Sequence, residues 1–149
     1  MSRFPSKRKL RSYWVLGFLV AGSFLAGCGG DRLPVAPVEG KVTYQGKPLE
    51  FGAVIFQPAA GPGASGTIQP DGTFRLSTYG NEDGAVVGAH KVAFSCFDSQ
   101  SPDAPPPDPS KEPGLGKPLI PRKYLSAETS GLTAEVKSRN EPFEFILTD

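Results

Sequence analysis

Residues 38–49 read Val38-Glu-Gly-Lys-Val-Thr-Tyr-Gln-Gly-Lys-Pro-Leu49, and the pattern is that of a strand entering a turn. Val38, Val42 and Tyr44 fall on one parity; Glu39, Lys41 and Thr43 fall on the other. Such period-two alternation marks a strand with one buried and one wet face. Gln45-Gly46 then supplies a tight turn, because glycine takes positive φ at no steric cost.

The same grammar repeats downstream. Ala53-Val-Ile-Phe-Gln57 reads as a central strand with Val54 and Phe56 inward, closed by Pro58. Residues 59–66, AAGPGASG, read as a flexible loop or loose edge. Gln69-Pro-Asp-Gly72 is a strong turn, joining a short strand at Thr67 and Ile68 to Thr73-Phe-Arg-Leu-Ser77 with Phe74 and Leu76 inward. A polar connection over residues 79–87 leads to Gly88-Ala-His-Lys-Val-Ala-Phe-Ser-Cys96, where Val92, Phe94 and Cys96 share a face. Leu132-Thr-Ala-Glu-Val136 and Phe143-Glu-Phe-Ile-Leu147 complete about seven strands. Two sheets packed face to face are the usual solution for such a set. The predicted fold is therefore all-β, an antiparallel β-sandwich over residues 38–149.

The totals agree with one domain. The chain has 149 residues, 18 of them glycine and 16 proline, as suits a turn-rich β architecture. Its net charge of +1 hides an asymmetry. Arg3, Lys7, Arg8, Lys9 and Arg11 precede the first acid, Asp31; removing those five of 16 cations leaves 11 against 15 acids, or −4, from Cys28 onward. A mildly acidic body offers no electrostatic reason to bind nucleic acid or anionic lipid headgroups.

The basic cluster is followed by an apolar run over residues 13–25 and then by small residues, the layout of a secretory signal. About 20 apolar residues are needed to span a bilayer, so the shorter run reads as a cleavable signal helix. Leu25-Ala26-Gly27-Cys28 resembles the bacterial lipobox. That resemblance implies a signal peptide over residues 1–27, cleavage between Gly27 and Cys28, diacylglycerol on the Cys28 thiol and an acyl chain on the new amino group. One acyl chain anchors marginally, whereas two or more hold firmly. Gly29, where Asp would retain a lipoprotein at the inner membrane, favours outer-membrane delivery. Residues 28–37 read as a flexible tether, and nine extended residues would reach about 30 Å. With Cys28 lipidated, Cys96 has no internal disulfide partner and reads as a small buried hydrophobe.

One segment breaks the strand pattern. Residues 98–121, DSQSPDAPPPDPSKEPGLGKPLIP, hold half the prolines of the chain. They read as a solvated crossover loop leaning to polyproline II; a docking strand for a partner is the sharper alternative.

Taken together, the G-x-V-x-x-x-G-x-P-L pattern of residues 40–49, the Gly52-Ala-Val-Ile-Phe56 strand, Asp71-Gly-Thr-Phe74 and Gly88-Ala-His-Lys-Val92 resemble the carboxypeptidase regulatory-like family of transthyretin-like β-sandwiches. Ile120-Pro-Arg-Lys-Tyr124 and Ser130-Gly-Leu-Thr-Ala-Glu-Val136 resemble the second half of small bacterial lipoproteins that carry this domain. The resemblance implies an accessory module, because the family's motifs are turns and core positions.

Residues suited to chemistry are few. His90 is the only histidine and reads as a structural one; six strand residues would place it about 20 Å from Cys96, beyond pairing distance. No Cys/His spacing indicates zinc, and residues 59–66 lack the lysine and following helix of a phosphate loop. A transthyretin-like branch that hydrolyses a purine-derived ring relies on several histidines, which this chain lacks. Tyr79 and Tyr124 are the candidate ligand contacts, as aromatic platforms. The expected function is thus a non-catalytic binding module, exported and held at the membrane by lipid on Cys28. Its domain would lie in the periplasm or at the cell surface, with an envelope protein or polysaccharide as partner and no cofactor or metal. A small-ligand carrier or a carbohydrate-binding module is the alternative.

Overall fold

The computed structural model describes residues 32–106, 110 and 114–149. The signal peptide, the cleavage site at Gly27 and Cys28, and part of the proline-rich loop lie outside the described residues. The described strands are β1 (Val35–Ala36), β2 (Glu39–Tyr44), β3 (Lys47–Pro48), β4 (Ala53–Pro58), β5 (Ala64–Thr67), β6 (Thr73–Arg75), β7 (Ala85–Val86), β8 (Gly88–Ser95), β9 (Leu132–Val136) and β10 (Phe143–Leu147).

Two four-stranded sheets form the sandwich, as expected. In one, β5-β4-β8-β9 pair in that order, all antiparallel. In the other, β10 lies along one edge of β2, while β6 and β3 share its other edge. The expected inward residues do form the core: Val42, Val54, Phe56, Leu76, Val92, Phe94 and Cys96 are wholly buried. Phe56 sits at its centre, edge-on to Phe143 and Phe145 at centroid distances of 5.8 and 6.0 Å. Burying each such side chain contributes about 1.5–3 kcal/mol, and edge-to-face ring pairs add to that.

Four expectations change. The pairing of β10 with β2 is parallel, not antiparallel. After β9 the chain turns at the end where β2 begins, and Asn140 Nδ2 there donates to Pro37 O at 3.1 Å; two strands starting from the same end run in the same direction. Secondly, the Gln69–Gly72 turn forms, with Gly72 N–H donating to Gln69 O at 2.8 Å, but it does not close a regular hairpin. β5 stays with β4 and β6 goes to β2, so this turn carries the chain between sheets. A single bridge, Ser65 to Ser77, joins the sheets along that side.

Thirdly, the tether is shorter than residues 28–37. Val35 and Ala36 pair with Val86 and Ala85 as a two-stranded ribbon, β1 with β7, and Ala36 is buried in the core. Strand β7 itself lies inside the stretch expected to be a polar connection. Fourthly, the proline-rich segment is not a free loop at its base. Asp98 N–H donates to Lys117 O and Lys117 N–H to Asp98 Oδ1. Leu119 N–H donates to Cys96 O, and Phe97 bridges Pro118. Its two legs are zipped together before the proline-dense tip begins.

Candidate functional site

The expected aromatic platforms do not come together. Tyr124, in a 3₁₀ turn over Arg122–Leu125, is buried, and its Oη accepts the Thr148 amide at 3.1 Å. That bond lowers its pKa from the usual phenol value. Tyr79 is the single exposed aromatic ring among the described residues. Its Oη accepts the Leu33 amide at 3.0 Å, and the Arg32 guanidinium lies 5.3 Å from its ring centroid. Tyr79 thus clasps the chain's own N-terminal leash, and Tyr124 pins the end of β10.

A site that sequence reasoning missed lies where the outer faces of the two sheets run together at the Ser65–Ser77 bridge. An open groove of about 1030 Å³ is lined there by Glu39, Lys41, Ser65, Thr67, Thr73 and Arg75, among others. Alternation puts Glu39 and Lys41 on the wet face of β2, and register sets Glu39 opposite Arg75 and Lys41 opposite Thr73. Arg75 Nη1 donates to Glu82 Oε2 at 3.0 Å, and its Nε lies 3.6 Å from Glu39 Oε2. The same three residues line a second hollow of about 270 Å³ beside Asn140, so Arg75 stands as a wall between the two. All three are well exposed, and exposed pairs of this kind contribute little to stability. The groove offers hydroxyls, carboxylates and two cations, a surface for hydrogen-bonded contact with a polar partner. The outward parity of Glu39 and Lys41 was legible in sequence; the β2–β6 pairing that completes the groove was not.

The loop beside this groove is held stiffly. Asp83 Oδ1 accepts the Thr78 amide at 2.7 Å, and its Oδ2 accepts those of Tyr79 and Gly80 at 2.9 Å each. These amide bonds, led by that of Thr78, hold its pKa below the ordinary carboxylate value.

The one cysteine and the one histidine among the described residues are both buried. Cys96 is wholly buried, and burial pushes its thiol pKa up to about 11, so it is not a thiolate at neutral pH. His90 is also buried, with Nε2 bonded to Val86 O at 2.6 Å and its ring 5.7 Å from that of Phe56. Its Nδ1 is the one buried side-chain polar atom without a hydrogen-bond partner among the described residues. Among these residues no group of three or more His, Cys, Asp or Glu side chains is placed to hold a metal ion. No helix among them is long and apolar enough to cross a membrane. No family model matches the chain, and no curated protein or solved structure matches it either.

Proposed function

We propose that this protein is an exported lipoprotein of the cell envelope whose β-sandwich binds rather than catalyses. The observation that carries the reading is Leu25-Ala26-Gly27-Cys28, placed directly after a basic cluster and an apolar run. Lipid on Cys28 holds the body at a bilayer, the outer membrane being favoured by Gly29. The body acts as an accessory module of the carboxypeptidase regulatory-like type, contacting an envelope protein or polysaccharide. Two features support binding over catalysis: Cys96 and His90 are both buried, and the groove beside Arg75 carries exposed polar side chains, with Arg75 itself paired to Glu39 and Glu82. The single exposed ring among the described residues, already committed to Leu33 and Arg32, favours protein contact over sugar stacking.

Metabolic labelling with palmitate tests the anchor. Label is expected in the wild-type protein and not in Cys28→Ala, with the processed chain beginning at residue 28 by mass spectrometry. An intact leader, or an unmodified thiol at Cys28, overturns the reading.

A further inference from the structure

From Arg32 onward the N-terminal leash is clamped to one end of the sandwich. Arg32 lies over Tyr79, Leu33 N–H bonds Tyr79 Oη, Val87 N–H bonds Pro34 O at 3.0 Å, and β1 pairs with β7. Three residues separate Cys28 from Arg32. A fully extended chain of that length spans at most about 14 Å. If Cys28 carries the lipid, this end of the body cannot stand far from the bilayer.

The same end is apolar where it meets solvent. Leu33, Tyr79 and Val87 are 40%, 36% and 41% exposed. They are contiguous: Tyr79 bonds Leu33, and Val87 bonds the next residue, Pro34. The Leu33 side chain also lies against Gly61, at 2.4 Å from where a Cβ there would sit. That contact brings the exposed loop over residues 59–63 to the same patch. Two acids stand near it, Asp83 accepting three backbone amides and Glu82 paired with Arg75. Arg32 is at the patch; exposed Lys137 and Arg139 precede Asn140, which binds Pro37 O, and exposed Glu135 and Glu141 bracket the same stretch.

From this we infer that the end bearing Leu33, Tyr79 and Val87 rests on the phospholipid surface that holds the anchor. The inference rests on the reading of Cys28 as lipidated. An exposed tyrosine with apolar neighbours suits the headgroup region, where amphipathic rings settle. An apolar face adds to the hold of the acyl chains. The docking also sets an orientation. β8 runs from Gly88 at this end to Ser95, about 24 Å for eight residues, and the zipped base of the proline-rich loop follows at Cys96 and Phe97. The base of that loop, at Phe97, Asp98, Lys117 and Pro118, therefore lies at the end away from the bilayer.

Trp14 is the only tryptophan and precedes Cys28, so a single introduced tryptophan reports cleanly in the processed protein. Val87→Trp and Leu115→Trp lipoproteins, each checked by mass for lipid on Cys28, are reconstituted in phosphatidylethanolamine–phosphatidylglycerol vesicles with brominated acyl chains. Several-fold quenching of V87W, with L115W unchanged, is expected. Lipid present with V87W unquenched overturns the docking and leaves the anchor standing; quenching of L115W alone reverses the orientation and overturns it too. Absence of lipid removes the anchor and this inference with it. In the unsubstituted lipoprotein, amide exchange over residues 59–63 and 78–87 should slow on vesicles relative to detergent micelles. Unchanged exchange there overturns the docking without any substitution.

Discussion

The two ends of the sandwich make an instructive pair. At one, residues 32–37 hold no strand pattern, yet they are strapped down by β7, Tyr79 and Asn140. At the other, the segment over residues 98–121 is zipped at its base by Asp98 and Lys117, and most of its prolines fall between these two in sequence. Both segments are rich in proline and lack periodicity, so composition assigns both to solvent. The difference is whether a core strand has an edge left to offer. β7 has one and takes β1; the base of the long loop pairs its own two legs. Pro and Gly content alone says little about docking, because backbone pairing needs only an edge and a few free amides.

The largest expected effect removes the distinction altogether. Phe56→Ala empties the centre where Phe74, His90, Phe143 and Phe145 all meet one ring. It should cost about 3–5 kcal/mol in urea unfolding and loosen both ends alike. A loss below about 1 kcal/mol would mean the core collapses easily around the site.

Gly84→Ala sharpens the contrast. Gly84 has φ +94°, and a Cβ there would lie 1.7 Å from Ala36 O. Dislodging β1 should cost about 1–3 kcal/mol. Amide exchange at Val87, which bonds Pro34, should accelerate, while Leu119, which bonds Cys96, stays protected. Equal acceleration at both positions would break the claim that the ends are held independently.

The smallest effect is one of pH. Asp83 has a folded pKa below the ordinary value of about 3.9, so the unfolded chain takes up its proton first as pH falls. Its contribution is complete above about pH 4 and is lost as pH drops through the folded pKa. Asp83→Asn should lack this acid increment, so its melting temperature should fall less than that of wild type between pH 5 and strong acid. Parallel acid profiles would show that the loop joining β6 to β7 is not held by this carboxylate.

What sequence alone determined is local. Alternation placed Val54, Phe56, Phe74, Val92, Phe94 and Cys96 inward, and Gln45-Gly46 formed the expected turn with φ of 50° and 77°. Each such feature depends on a few neighbouring residues, as period-two side-chain direction and glycine's free φ do. What only the tertiary structure decided is partnership. β6 joining β2, the parallel run of β10, the Arg75 groove and the strapped leash each pair residues distant along the chain. Single-strand patterns say which face is buried, and leave open which edge it will meet, because strand edges present the same backbone groups whatever the side chains.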